Sequence, residues 1–565
     1  MGMEPKTAGG QGALPEAAST DIGNRRHQIL PALNEAQFEL LSRYGERRHF
    51  KAGDILFRQG DRHIPMYVII SGAIEIERAS ALGGAVVHGT HGAGMFTGEI
   101  GTLAGRAAVA TGRVVADGEF IVISEESLRT LVISEAALSE TIMRAYILRR
   151  VAYMQDQAGG LVMFGARHSQ ATLVLRHFLT RNGQPTAYFD TELHAETAEM
   201  MERFGVTEAD IPAIVTPSGE VLRHPTLRQV ADSIGLSSDN IDGRTFDLVV
   251  VGAGPAGLAA AVYAASEGLS VAVLDSKAPG GQAGSSSKIE NYFGFPTGVS
   301  GQALAGRGLS QARKFGAEVA VPVRVSAVDC EGPDFEIAID SGERLRARSI
   351  VIATGARYRK PDLPELERFE GCGVYYSASF MEATFCANEE VVIVGGGNSA
   401  GQAAVFLAGH AKHVHIVVRA DGLAASMSRY LIQRIEAAPN ITLHTRKQIV
   451  ALQGEDKLER ISWQTAGGEV KTAPARHLFL FLGAEPNTAW LGDCVELDDK
   501  HFVLTGPQVP MEDWPLERSP HFLETSRPRI FAVGDVRSGS VKRVAAAVGE
   551  GSAAVQSLHQ VLASD

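Results

Sequence analysis

Two glycine-rich segments carry the clearest chemistry in this 565-residue sequence. Gly252-Ala253-Gly254-Pro255-Ala256-Gly257 closes the apolar run Phe246 to Val251, and Gly395-Gly396-Gly397-Asn398-Ser399-Ala400 closes Val391 to Val394. After a buried parallel strand, Gly252 permits a tight turn and Gly254 lets the backbone approach a pyrophosphate. Gly257 lets the following helix pack closely. Pro255 and Ala256 stand at the start of that helix, whose exposed N–H groups complete an anion site. The next strand, Val271 to Leu274, ends in Asp275, 18 residues after Gly257, a spacing that suits a ribose hydroxyl pair. Two such sites in one chain predict two dinucleotides brought together, hence hydride transfer.

Further segments identify a family. Gly280-Gly281-Gln282, Lys288-Ile289-Glu290-Asn291-Tyr292, Val351-Ile352-Ala353-Thr354-Gly355 and Phe531-Ala532-Val533-Gly534-Asp535-Val536 resemble the flavin segments of low-molecular-weight thioredoxin reductases and their FAD-dependent relatives. The resemblance covers about residues 246–560. It implies FAD at the first site, held also by Gly281, Gln282, Asn291, Thr354, Gly355 and Gly534, with Asp535 on the ribityl chain. It implies that the helix after Lys542-Arg543-Val544 points its positive end toward the isoalloxazine carbonyls, where charge develops on reduced flavin.

By the same resemblance the second loop, with Gly395, Gly397, Asn398, Ser399 and Ala400, holds the pyrophosphate of a nicotinamide cofactor. The strand His413 to Val418 ends in Arg419, a cation that pairs well with a 2′-phosphate and favours NADPH over NADH. Ala420 and Ala424-Ala425 thin the basic cluster usual in the family. Arg429 either substitutes or is a helix-surface charge. Phe481 to Thr488 resembles the segment that returns the chain to the flavin domain.

A thioredoxin reductase also needs a dithiol beside the flavin, one thiol to accept electrons and one to resolve the adduct. The matching segment here is Tyr376-Ser377-Ala378-Ser379-Phe380. Ser377 and Phe380 stand at the two cysteine positions, and neither side chain can do thiol chemistry. Cys372 and Cys386 flank the segment without forming CxxC; two buried apolar residues is the plain reading. No catalytic residue is therefore assigned within the chain.

Elements must position these loops. A chain of this length needs three or four domains. Residues 1–25 read as a flexible tail, and Leu33 to Tyr44 as a short amphipathic helix. Short strands and Gly turns follow, then a helical stretch from Glu125 to about Met154. The segments Phe57-Arg58-Gln59-Gly60-Asp61, Met66 to Gly72 and Phe96-Thr97-Gly98-Glu99-Ile100 resemble a cyclic-nucleotide-binding domain over 26–155. That family implies Glu99 at a ribose hydroxyl and Arg106 at the cyclic phosphate, with Gly98 in the same nucleotide site; a barrel recruited for packing or for another small ligand is the alternative. Residues 156–240 alternate strands and helices and faintly resemble a thioredoxin/glutaredoxin-like domain. Its active-site position reads Arg167-His168-Ser169-Gln170, again without cysteine, and Ile211-Pro212 occupies the cis-proline place. His168 reads as an exposed loop residue. Residues 244–365 and 491–565 form the expected FAD domain, with the NAD(P)H domain, 366–490, inserted in it. The predicted fold class is thus multidomain: a β-roll with helices, a small thioredoxin-like α/β domain, and two Rossmann-like α/β nucleotide-binding domains, one inside the other.

Bulk properties narrow the function. A net charge of −12 without a compact Lys/Arg field argues against nucleic acid. The apolar runs are sheet-length, which argues against a membrane span, and no signal peptide is read, so a cytoplasmic protein is expected. The four cysteines are scattered and predict neither metal spacing nor a disulfide framework. The expectation is an NAD(P)H-dependent flavoprotein delivering electrons to an unidentified small-molecule or protein acceptor. Family resemblance adds a homodimer and rotation between the nucleotide domains. A redox or ligand sensor with little turnover, and a non-enzymatic scaffold, are the other readings.

Overall fold

The computed structural model describes residues 26–79, 85–98, 102–103, 107–155, 160–192, 195–236, 241–286, 288–378, 380–455, 457–465, 467–512 and 514–563. The expected tail at 1–25 lies outside them. The chain divides into two compact units, Met1–Gly159 and Gly160–Asp565.

In the first unit, α1 (Glu35–Leu41) starts at Asn34, whose side chain accepts the Gln37 N–H while the Gln37 amide oxygen accepts the Asn34 N–H. Seven strands follow: β1 (Glu46–Phe50), β2 (Ile55–Phe57), β3 (Met66–Ile69), β4 (Ala73–Ala79), β5 (Ala85–Gly92), β6 (Thr111–Ala116) and β7 (Gly118–Ile123). They pair as two sheets, β1-β7-β3 and β2-β6-β4-β5. The single helical stretch expected after them is two helices, α2 (Glu125–Ser134) and α3 (Ala136–Gln155). Glu135 breaks it with φ −112° and ψ 83°. The break lets Leu128 and Leu131 of α2 and Leu138 and Ile142 of α3 face one core with Leu41 and Phe96.

The second unit opens with β8 (Leu161–Gly165), α4 (Gln170–Arg181), β9 (Thr186–Asp190), α5 (Ala195–Phe204), β10 (Ala213–Val215), β11 (Val221–Arg223) and α6 (Leu227–Ser233). The sheet order is β11-β10-β8-β9, with β8 and β9 parallel and the other pairs antiparallel. The Ile211–Pro212 peptide is cis, as the resemblance implies.

Next come β12 (Thr245–Val251), α7 (Pro255–Ser266), β13 (Val271–Leu274), α8 (Gly301–Lys314), β14 (Glu318–Ala320), β15 (Val325–Asp329), β16 (Phe335–Ile339) and β17 (Arg344–Ile352). They form the sheet β14-β13-β12-β17-β16-β15. The near-continuous apolar run of β12 reflects burial on both faces, as parallel strands between helices require. Beside β12 on one edge, β17 is long enough to serve two partners on the other: its first half pairs with β16, while Ile350–Ile352 pairs with the late strand β28 (Ile530–Ala532).

Between these partners in sequence lie β18 (Ala356–Tyr358), β19 (Val374–Tyr375), α9 (Phe380–Phe385), β20 (Glu390–Val394), α10 (Asn398–Ala408), β21 (His413–Val417), α11 (Arg429–Ala437) and β22 (Ile441–His444). The meander β23 (Lys447–Gln453), β24 (Arg460–Thr465) and β25 (Val470–Pro474) then leads to β26 (His477–Leu480) and β27 (Ala484–Pro486). Five of these strands make a parallel sheet, β19-β26-β20-β21-β22, and β18 pairs with β27 at the two chain crossings. The closing helix α12 (Val544–Leu562) packs on α7.

Leu175, Phe178 and Leu179 of α4 share one core with Leu258 and Ala261 of α7 and with Val555 and Leu558 of α12. Burying each such Leu or Phe contributes about 1.5–3 kcal/mol. The small α/β module is therefore continuous with the first nucleotide-type sheet. One expectation is overturned: Cys330 and Cys494 form a disulfide across 164 residues. Cys330 follows β15 and Cys494 ends the segment after β27, a neighbourhood created only by tertiary packing.

Candidate functional site

The first glycine loop is shaped by what surrounds each glycine. At Gly252 a Cβ would lie 2.3 Å from the Ala353 carbonyl oxygen, and φ is +108°. At Gly257 it would lie 1.9 Å from the Gly252 carbonyl, so neither position tolerates a side chain. Gly254 differs: its nearest neighbour would be Gly281 Cα at 3.9 Å, leaving open approach to the backbone. Gly254 caps α7 without a side-chain bond, so the first-turn N–H groups of the helix face this opening.

Loops from three strand ends close around it. The Asp275 carboxylate accepts N–H bonds from Ala253, Lys277 and Ala278 at 2.9, 2.9 and 3.0 Å, knitting the glycine turn to the loop after β13. Gly280 donates its N–H to the Ala253 carbonyl at 2.7 Å, and Gly281 (φ +53°) lies against Gly254. The Gln282 amide donates to the Ala356 carbonyl. Thr354 Oγ1 donates to the Asn487 carbonyl at 2.8 Å, and the Asn487 amide returns a bond to the Thr354 carbonyl at 3.0 Å, fixing Gly355 beside the crossing strands. A Cβ on Gly534 would meet the Ala256 Cβ at 3.0 Å.

Asp535 is half-buried, and its carboxylate meets no hydrogen-bond donor among the described residues. Burial raises its pKa, opposed by Lys542, whose ammonium donates to the Asp535 carbonyl at 3.0 Å. A half-buried carboxylate with open acceptor capacity beside an open glycine backbone suits a ligand with hydroxyls. Arg543 is exposed and precedes Val544, the first residue of α12, which no side chain caps. Asn291 is exposed.

The second loop repeats the design. A Cβ at Gly395 would lie 2.4 Å from the Phe481 carbonyl, whereas nothing lies within 4 Å of one at Gly397. Asn398 Oδ1 accepts the Ser428 N–H at 2.7 Å, and Ser426 Oγ donates to the Gly396 carbonyl at 2.8 Å. The segment after β21 is thereby folded over the loop, with Ala400 fully buried below. Arg419 and Arg429 are exposed at the end of β21 and the start of α11. Arg446 is a third cation nearby: its N–H reaches the Ala420 carbonyl at 3.2 Å and its side chain pairs with Asp421. Sequence reading missed it because it lies beyond the next strand.

The two loops meet at Tyr358. It is half-buried; burial raises its pKa, the neighbouring Ser399 side chain opposes the rise and the Asp535 charge adds to it. Arg434 of α11 pairs with Glu290 of the segment before Asn291.

The segment at the expected dithiol runs from half-buried Ser377 to α9, whose backbone starts at Phe380; Ser379 lies outside the described residues. Cys372 donates to the Arg368 carbonyl at 3.4 Å, and Cys386 is fully buried; neither is in a disulfide. Burial raises both thiol pKa values, which disfavours thiolate chemistry. His168 is not the exposed loop residue expected. It is half-buried against the Phe385 ring (centroids 6.0 Å), and burial, then Arg167, depresses its pKa.

In the first unit, Gly98 (φ +105°) has its Cβ position 2.5 Å from the Tyr146 hydroxyl, while Arg149 donates to the Gly98 carbonyl at 2.8 Å. Glu99 and Arg106 lie outside the described residues. Among the described residues no group of His, Cys, Asp and Glu is arranged to hold a metal. No helix among them is long and apolar enough to cross a membrane.

Comparison with known proteins places this geometry. Residues 47–135 match the cyclic nucleotide-binding domain. The chain is 32% identical over 368 residues to the NADPH-dependent thioredoxin reductase 3 of Arabidopsis thaliana, covering 61% of this chain and 65% of that protein. It is 31% identical over 321 residues to a thioredoxin reductase of Streptomyces clavuligerus, covering 56% and 94%. Among solved structures, the Lactococcus lactis thioredoxin reductase in its FR conformation aligns with a TM-score of 0.52 at 28% identity, over 57% of this chain and 100% of that one. Residues 246–551, which hold both glycine loops, Tyr358 and Asp535, match one family along more than half the chain. The chain belongs to the pyridine nucleotide-disulphide oxidoreductase family.

Proposed function

We propose that this chain is an FAD-dependent NADPH oxidoreductase that passes electrons to an acceptor other than a dithiol of its own. The carrying observation is the repeated loop design, a tight glycine turn followed by an open glycine at a helix start, at Gly252 and Gly254 and again at Gly395 and Gly397. Open backbone at Gly254 and Gly397 supports a pyrophosphate at each loop. Bound FAD would supply two-electron acceptance from reduced nicotinamide and onward transfer. The chain's own work is to hold and orient. Asp275 stiffens the first loop, Asp535 offers a half-buried acceptor, and the uncapped start of α12 presents N–H groups. Arg419, with Arg446 and Arg429 nearby, supports a 2′-phosphate and hence NADPH over NADH.

Ser377 and Phe380 support an outlet other than thioredoxin, since no thiol stands where the family places one. The acceptor class is a quinone, an oxidised dye, oxygen or a redox protein. The sheet order β11-β10-β8-β9 and cis-Pro212 support a thioredoxin-like fold for the cysteine-free module. The front unit supports an effector role for a cyclic nucleotide. A homodimer and a cytoplasmic location complete the reading.

Anaerobic mixing with NADPH and then with NADH tests it, followed by a panel of acceptors. The reading requires stoichiometric bound FAD that bleaches faster with NADPH and is reoxidised by a non-thiol acceptor. Ordinary turnover with a thioredoxin disulfide, or absence of flavin, would sink it.

A further inference from the structure

The small module does more than precede the nucleotide-binding sheets, because α4 grips both of them. At its C-terminal end the buried Arg181 guanidinium donates to the carbonyls of Gly281, Ala278 and Pro279 at 2.8, 3.3 and 3.5 Å. Asn182 donates to the Lys277 carbonyl at 3.1 Å, and Gln302 of α8 donates to the Thr180 carbonyl at 2.8 Å. The loop held by Arg181 is the one lying on Gly254. Together with the shared core, these bonds make the module an extension of the first nucleotide-type sheet.

The other half of α4 faces the second sheet. His177 Nε2 pairs at 2.9 Å with Glu382 of α9, a carboxylate only 2% exposed. Leu173 and Gln170 pack on Gly371 so closely that a Cβ there would lie 3.1 Å from Leu173 Cδ1. His168 meets Phe385 of the same helix. Thus α4 touches α9, the helix beginning where the family dithiol would stand.

We propose that α4 is a latch fixing the relative orientation of the two nucleotide-binding domains, with Arg181 and His177 as positioning residues at its two ends. It holds the arrangement in which Arg434 of α11 joins Glu290. The inference rests on the reading of the two loops as cofactor sites, and it specifies how that site is regulated in space.

Amide hydrogen exchange on the full chain as purified, without added nucleotide, tests it in His177→Ala and Leu173→Ala. Neither residue touches the Arg434–Glu290 contact. The latch requires segments 286–299 and 429–437 to exchange at least threefold faster in the variants, with β12 and β20 as protected as before. Faster exchange confined to α4, Gly371 and α9 would overturn it, as would no change. If His177→Ala loses protection in β20 through unfolding, Leu173→Ala alone decides. Because exchange needs no redox chemistry, a chain found to lack flavin would refute the functional reading while this test still returns its own answer.

Discussion

At the scale of single residues, the glycines of one loop separate into two kinds that look alike in sequence. Gly257 has a carbonyl 1.9 Å from its Cβ position, so Gly257→Ala must displace backbone and should lower stability by several kcal/mol. Gly254 has φ −69° and free space, so Gly254→Ala should fold with a melting temperature within a few degrees of wild type. Its methyl group would occupy the approach to the backbone, and bound flavin should fall at least tenfold. Flavin absorbance against protein concentration, with calorimetry on both variants, checks the contrast. Arg419→Ala should raise KM for NADPH about tenfold, the equivalent of one charge-assisted contact, and leave KM for NADH nearly unchanged. Equal effects on both cofactors would remove Arg419 from the 2′-phosphate site. The glycines, Asp275 and Arg419 were legible in sequence because each sits at a fixed offset from a strand end. Tyr358, Arg181, Arg446 and the Cys330–Cys494 pair were not, since their partners come from other elements, up to 164 residues away for the disulfide.

At the scale of elements, β21 and β22 deliver Arg419 while carrying a histidine cluster between the second sheet and its meander. His415 Nδ1 lies 3.1 Å from His444 Nε2, and His444 Nδ1 lies 3.2 Å from Lys447 Nζ. The His413 ring lies tilted beside that of His415 with centroids 4.7 Å apart, and Glu390 of β20 pairs with His415 Nε2 at 3.5 Å. Burial first, then Lys447 and the neighbouring imidazoles, lowers the His444 pKa from 6.5 to about 4. Burial likewise lowers that of His415, against the pull of Glu390. The unfolded chain therefore takes up protons before the folded one does. Stability should be at its full value above pH 6.5 and decline as pH falls from there toward 4. Because the His444 ring is partly exposed, its share is of order 1 kcal/mol. His444→Gln should flatten the melting temperature between pH 7 and pH 5, and an unchanged slope would assign that dependence elsewhere. Element types were readable from apolar runs and turns. The split at Glu135 was not, because an unbroken apolar pattern does not reveal that two helices must turn toward one core.

At the scale of the whole molecule, the absent dithiol and the latch bear on the same question. A flavoenzyme with its own dithiol must present its flavin alternately to nicotinamide and to the thiols, which the family resemblance expects domain rotation to achieve. In the proposed reading Ser377 and Phe380 remove the second of those demands; α4 pairs with the helix that begins at Phe380. A chain built this way needs only the arrangement in which Arg434 pairs with Glu290. Its flavin reduction at saturating NADPH should then be a single phase whose rate is unchanged when sucrose or glycerol raises solvent viscosity about threefold. Contact chemistry between held groups does not depend on solvent friction, whereas swinging a domain through solvent does. Leu173→Ala, which loosens the latch without touching either glycine loop, should acquire a slower phase that follows viscosity. Wild-type reduction slowing in proportion to viscosity would mean that the domains must rotate before hydride can pass, and that α4 does not hold them.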